Sequence, residues 1–320
     1  MPFRIKVTLV VLCSLLGLLL IGPLIVPVRP LPDTVSEAEL AGPDSRFVEV
    51  NGLAVHYRER GAGERAFVLL HGFGSSAASF AQLMEPLAAY GRVIAFDRPA
   101  FGLTERPLPG EWSGANPYTF EAQVALTLAL MDALGLDEAV LVGHSSGGAV
   151  ALGAALESPE RVSGLVLLGP AVYRTGGPSA ASRWLLHTPQ LNRIGPLFMR
   201  QLGGGPGRSF LEAAWSDPSR IGPETLEAYR TPLRAEDWDR ALWEFTKASR
   251  DPDLAPRLPE VGASALVVSG ADDAIVPSEL GERLANELPA AEFALLEDCG
   301  HLPQEECPAA LLAVLEPWLR

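Results

Sequence analysis

Hydrophobic residues along this chain fall into short continuous runs separated by turn residues, and each run has the length of a buried strand. The runs are Ala66–Leu70, Arg92–Phe96, Ala139–Val142, Arg161–Leu168, Ala265–Gly270 and Glu292–Leu296, rich in Val, Leu and Ile. Apolar runs without alternation suit strands covered on both faces, as in a parallel sheet. Ahead of them, Phe47–Val50 and Leu53–Arg60 flank Asn51-Gly52, which predicts a hairpin. Between the runs the apolar period changes to that of a helix. Phe80, Leu83, Met84 and Leu87 share one face after the capping residues Ser75 and Ser76, and Gly91 ends that helix. Phe120, Val124, Leu128 and Met131 form a second stripe, capped by Thr119 and closed by Gly135. Strands alternating with helices predict an α/β fold.

The alternation lapses over residues 171–260. This stretch has no strand pattern, only amphipathic pieces broken at Gly176-Gly177, at residues 203–207 and at Gly222-Pro223. Trp184, Leu185, Leu197, Phe198, Trp215, Trp238, Trp243 and Phe245 give it large apolar groups, most of which should form its own core. It reads as a helical cap inserted into a core made of residues 46–170 and 261–320. At the other end, Val7 through Val28 is a run of 22 residues without a charge. At ~1.5 Å per residue such a helix is ~33 Å long, enough for a ~30 Å hydrocarbon layer. Residues 1–28 are therefore expected to be a single-pass anchor. The alternative is secretion after signal cleavage, but no small-x-small site follows until Ser36 and Ala38. Arg4 and Lys6 before the span, against Arg29 after it, favour a folded domain outside the cytoplasm. Residues 29–45, proline-rich and acidic, read as a solvated linker.

Charge narrows the partners. A formal net charge of −14 argues against nucleic acid and against a polybasic grip on anionic lipid. Of the three cysteines, Cys13 lies in the apolar run, and Cys299 and Cys307 are expected to be unlinked thiols. The sequence holds no metal-ligand spacing and no phosphate loop, so no cofactor is expected.

The chemistry gathers where the buried runs end. Gly143-His144-Ser145-Ser146-Gly147 joins a strand run to the small residues Gly148–Ala155, the setting of a nucleophile elbow. A serine hydroxyl needs a base and a backbone that projects it. Glycines at both ends let the turn tighten, and the helix behind it aims N–H groups at an anion forming beside Ser145. The run Ala66–Leu70 ends in His71-Gly72-Phe73-Gly74, a second turn able to point N–H groups into a cleft. The backbone N–H groups of Phe73 and Ser146 are assigned as the oxyanion donors. Among the five histidines, His301 after the last strand is the leading base. His144 is expected to point away, His71 to belong to the donor loop, and His56 and His187 to lack any such context. Asp97-Arg98 is read as a salt-bridged loop bracing the site rather than as a catalytic pair. An acid at Asp272 or Asp273 follows the run Ala265–Gly270, at the sheet edge where open α/β sheets build their sites.

Five marks in order carry a resemblance: His71-Gly72-Phe73-Gly74, Asp97-Arg98-Pro99-Ala100-Phe101-Gly102, the Gly143–Gly147 elbow, Gly270-x-x-Asp273 with Ile275-Val276-Pro277, and Gly300-His301. From about residue 46 to 320 the chain resembles the α/β-hydrolases, in particular lidded esterases, lipases and haloperoxidases. The resemblance implies a mostly parallel eight-stranded sheet flanked by helices with an inserted helical lid. It also implies Asp273 rather than Asp272 as the acid of a Ser145, Asp273, His301 triad. Serine at the nucleophile position sets the chain apart from dehalogenases and epoxide hydrolases, which carry aspartate there. The anchor and aromatic lid look like those of membrane-bound monoacylglycerol lipases, implying an apolar small-molecule ester as substrate. The alternatives on the same triad are C–C bond hydrolysis and perhydrolase or haloperoxidase chemistry; a non-catalytic scaffold is a third.

Overall fold

The apolar runs assemble into one sheet of eight strands in the order β1-β2-β4-β3-β5-β6-β7-β8. The structure, a computed structural model, describes residues 3–173 and 180–320, so the break expected at Gly176-Gly177 lies outside the described residues. The strands are β1 (Arg46–Val50), β2 (Leu53–Arg60), β3 (Ala66–Leu70), β4 (Arg92–Phe96), β5 (Ala139–His144), β6 (Val162–Leu168), β7 (Ala265–Gly270) and β8 (Ala291–Leu296). β1 and β2 form the Asn-Gly hairpin, and β2 joins β4 antiparallel. The other pairings are parallel.

Alternate side chains of the central strands feed two cores. Val68, Leu70, Leu141, Leu165, Leu167 and Val267 face one side, with α3 (Phe120–Ala133), α4 (Ser146–Glu157) and α10 (Ser278–Glu287). Phe67, Leu69, Val140, Val142, Val166 and Val268 face the other, with α2 (Ala81–Ala88) and α11 (Pro308–Leu319). Burial on both faces is why these strands read as unbroken apolar runs. The helix expected from about Gln304 to Leu319 is split at Cys307, where φ is −132° and ψ 51°. Pro308 is the reason, since a proline drives the residue before it out of the helical region. Cys299 and Cys307 correct another expectation: they are joined as a disulfide, with Cα atoms 6.1 Å apart. The short helical turn Pro303–Glu306 folds the chain back so that the two positions meet, which sequence distance does not reveal.

The cap holds α5 (Ala180–Leu186), α6 (Pro189–Met199), α7 (Gly205–Ala213), α8 (Pro223–Arg230) and α9 (Trp238–Ala248). Trp215, Trp238, Trp243 and Phe245 are buried as expected, whereas Trp184, Leu185 and Phe198 are exposed. α6 meets α9 at Gly195, where a β-carbon would run into the Trp243 ring.

α1 (Phe3–Ile25) is long and apolar enough to cross a membrane and runs against α6. The same description fits an anchor and a signal sequence. Residues 29–45 are not the free linker that their composition suggests. Arg200 donates to the Arg29 carbonyl at 2.7 Å, Val35 bridges to Ala235, and Glu37 pairs with Arg106 at 2.9 Å. Leu31 packs into the cap core beside Trp238. A few well-placed contacts hold a segment whose overall composition is polar.

The Gly195–Trp243 contact has a measurable consequence. Gly195→Val should overpack α6 against α9 and cost about 1–3 kcal/mol, seen as a lower thermal midpoint and faster proteolysis within residues 180–248.

Candidate active site

Ser145 sits between β5 and α4 with φ 52° and ψ −120°, a left-handed conformation costly for a residue with a side chain. Its N–H donates to the Leu168 carbonyl at 2.9 Å, and its own carbonyl accepts from Gly148 and Ala171 at 3.0 and 3.1 Å. Glycine permits the bend. A β-carbon on Gly147 would strike the carbonyls of Leu70 and His71, and one on Gly143 would strike the backbone of Gly148. Gly72 lies so close that its β-carbon would come within 3.0 Å of Ser145 Cβ. As the first residue of α4, Ser146 has an N–H with no preceding helical turn to bond.

His301 is held on the far side of the same edge. Its Nδ1 lies 2.7 Å from Asp273 Oδ2, with both side chains buried. The other carboxylate oxygen accepts from the N–H groups of Ile275 and Val276 at 2.9 and 2.8 Å. An Nδ1–H donated to a carboxylate leaves Nε2 with its lone pair. Asp272, the alternative acid, instead accepts from Ser216 Oγ at 2.6 Å near the surface. Gly169, the residue after Leu168, packs against the pair: its β-carbon would lie 3.1 Å from His301 Nδ1 and 3.2 Å from Asp273 Oδ2. Phe73, Ser145, Ser146 and His301 all line one cavity of about 840 Å³, whose walls include Phe101, Tyr118, Leu202, Phe210, Trp238 and Phe245. Among the described residues that line it there is no carboxylate.

The other histidines differ from expectation in part. His144 does not point away. Its Nε2–H donates to the His301 carbonyl at 2.8 Å, steadying the loop that carries His301. Burial, with His301 beside it, holds His144 well below the usual histidine range, so it stays neutral. His71 does belong to its loop, donating from Nδ1 to the Gly72 carbonyl at 2.7 Å and accepting the Arg98 N–H at Nε2. Burial and the nearby Arg98 bring it down to about 3. His56, expected to lack context, makes a second buried histidine–aspartate pair, 2.7 Å from Asp97.

Asp97 and Arg98 do not form the expected salt bridge. Asp97 also accepts the N–H groups of Ala77 and Leu103, both at 2.6 Å, and so ties together the loops after β3 and β4. Burial alone would raise its carboxyl, but His56 and these donors hold it well below the usual range. Arg98 turns to neutral partners, donating to Gln123 and to Ser146 Oγ, both at 2.8 Å. It is 1% exposed, and burial draws its guanidinium down to about 9.

Two positioning residues escaped the sequence reading. Glu306 accepts from Gly300, Ser216 and Asp217 N–H groups at 2.7, 3.0 and 2.9 Å, joining the His301 loop to the cap. Its neighbour Glu305 accepts from Ser79 and, at 2.7 Å, from Tyr229 of α8. A Glu-Glu pair before a helix gave no signal of either role.

Glu306→Ala should strand the buried Gly300 N–H and release two cap donors nearer the surface, costing about 1–3 kcal/mol, with activity falling further than for Glu306→Gln; calorimetry and turnover assays check both. Burial raises Glu305 from the usual 4.5 to about 7, while its hydroxyl donors pull the other way. Between those values the folded state binds more protons than the unfolded chain, so stability falls as pH rises. Denaturant titrations across that window should show the slope in the wild type and a flatter profile in Glu305→Gln.

Comparison with known proteins finds relatives along most of the chain. The profile of the alpha/beta hydrolase family matches residues 67–314. An uncharacterized hydrolase, YugF, of Bacillus subtilis is 33% identical over 275 residues, 84% of this chain and 95% of that protein. A 2-hydroxy-6-oxononadienedioate/2-hydroxy-6-oxononatrienedioate hydrolase of Paraburkholderia phymatum is 32% identical over 300 residues, 86% of this chain and 95% of its own. Among solved structures, a thermophilic esterase from Thermogutta terrifontis superposes with a TM-score of 0.70 at 27% identity, covering 86% of this chain and 98% of the esterase. With its eight-stranded sheet, its inserted helices and this match across most of its length, the chain belongs to the alpha/beta hydrolase family.

Proposed function

We propose that this protein is a serine hydrolase that cleaves a carboxylic ester with an apolar acyl group. The observation that carries the reading is the His301 ring, tied to Asp273 at 2.7 Å, on the wall of the cavity that Ser145 also lines. Ser145 Oγ adds to the ester carbonyl as its proton passes to His301 Nε2, and Asp273 steadies the imidazolium. The N–H groups of Phe73 and Ser146 hold the tetrahedral oxygen, each such donor contributing about 3–4 kcal/mol. Collapse expels the alcohol with the proton from His301 and leaves an acyl group on Ser145. Water, deprotonated by His301, then releases the acid. The aromatic and aliphatic walls suit an acyl chain better than a polar one. We assign α1 as a retained anchor that places the hydrolase domain outside the cytoplasm.

A second reading rests on one observation, the 32% identity to a dienedioate hydrolase. In that reading the same three residues cleave a C–C bond beside a ketone.

Wild-type protein should be labelled by a fluorophosphonate, and Ser145→Ala should lose the label and about 10⁶-fold of kcat. Turnover of p-nitrophenyl esters of increasing chain length, set against a ring-fission dienone, decides between the readings. Preference for the dienone would overturn the ester assignment, and a folded wild type that never labels would overturn both.

A further inference from the structure

Cap helix α6, with α5 packed against it, lies beside α1, the helix long and apolar enough to cross a membrane. Trp184 is 65% exposed, Phe198 52% and Leu185 40%, all on these two helices. Phe210, on the following helix, is 44% exposed and also reaches the cavity, where it stacks edge-on against Phe73 with ring centres 6.2 Å apart. Large apolar side chains left exposed close together along the chain mark a surface with a partner.

Charge names the kind of partner. The whole chain carries −14, yet residues 183–211 contain four arginines (183, 193, 200 and 208) and no aspartate or glutamate. Two of these are neutralised from outside or at the end of the stretch, Arg200 by Asp239 and Arg208 by Glu212. Arg193 is exposed near the start of α6, and Arg183, half-buried with its Nε enclosed, precedes the exposed Trp184–Leu185. Basic residues interleaved with Trp, Phe and Leu are the composition of a surface that enters the interface of an anionic bilayer.

The position of α1 supplies depth. Gln190, in the first turn of α6, donates to the Leu20 carbonyl at 3.0 Å. Leu20 is five residues before the end of α1 at Ile25. At ~1.5 Å per residue the start of α6 is level with a point ~7.5 Å inside that end, within the ~5–10 Å to which interfacial helices sink. Residues 29–37 are pinned to the cap and core, so the chain leaves no slack to lift the domain away.

We propose that the α5–α6 face of the cap is a membrane-binding surface that seats in the anionic leaflet entered by α1. Met199, Leu202, Arg208 and Phe210, at the end of α6 and just beyond it, line the cavity, which would then open at the lipid interface. Substrate would reach Ser145 from the bilayer, through a cap already at the depth of the acyl chains. This deepens the ester reading by naming a membrane-held amphiphile as the substrate class.

The test needs no turnover. Full-length protein is reconstituted in phosphatidylcholine vesicles containing phosphatidylglycerol, with lipids brominated near the headgroup end of the chain as quenchers. Wild-type tryptophan emission should be quenched, and Trp184→Phe, which removes the most exposed reporter, should lose the larger part of that quenching. Arg183→Glu/Arg193→Glu should weaken it in anionic vesicles and restore no activity lost elsewhere. The Ser145→Ala protein should quench like the wild type, which keeps this result separate from any failure of the ester reading. Equal quenching in wild type and Trp184→Phe would overturn the proposal, as would protein that does not remain with the vesicles. Circular dichroism of each variant checks that the cap is folded.

Discussion

A steric constraint at the C-terminal edge of the sheet governs the rest of this protein. Ser145 is held in a backbone conformation that a side chain disfavours, by about 1–3 kcal/mol. It persists because three backbone hydrogen bonds tie it to β6, α4 and the chain beyond. Those bonds form only because Gly143, Gly147 and Gly72 leave room for three chain segments to close on one point. The strain projects the hydroxyl into the cavity and puts the start of α4 beneath it. The bond from Ser145 to Leu168 also fixes where Gly169 lies, and Gly169 is the floor on which His301 and Asp273 rest.

The cap is joined to that edge rather than laid over it. His301 donates its backbone N–H to the Ala214 carbonyl, and Glu306 takes N–H groups from both the His301 loop and the cap. Tyr229 reaches from α8 to Glu305 on the core. Cap position and imidazole position are therefore one mechanical unit. A large cap shift must load the same loop that holds His301. Residues 29–37 add a third attachment, so that α1, cap and core share contacts through Arg106 and Arg200.

Electrostatics within the cavity run opposite to those of the chain. The molecule is acidic, yet Arg98 is buried beside Ser146 with no carboxylate partner, and no acidic side chain lines the cavity among the described residues. A buried cation with only neutral partners is costly. Here it leaves a positive field behind the helix start that faces Ser145. Asp97, the acid next in sequence, is turned the other way and spent on His56 and two backbone donors.

Much of this was legible in one dimension. Strand burial on both faces leaves unbroken apolar runs, the hairpin has its Asn-Gly, and a nucleophile elbow requires small residues at fixed spacing, because backbone sterics act over a few neighbours. Such local rules located the sheet, the elbow loop and the histidine after the last strand. Properties set by approach between distant segments were not legible. Cys299 and Cys307 pair because Pro303–Glu306 turns the chain back, His144 serves the His301 carbonyl, Glu306 clamps the cap, and the polar segment 29–45 is pinned. The motif resemblance implied Asp273 rather than Asp272, but spacing alone left both open; in space Asp273 meets the His301 ring and Asp272 accepts from Ser216. Sequence determined which residues could do the chemistry; only the packing of loops from different strands decided which partner each one faces, because hydrogen bonds depend on distance in space and not along the chain.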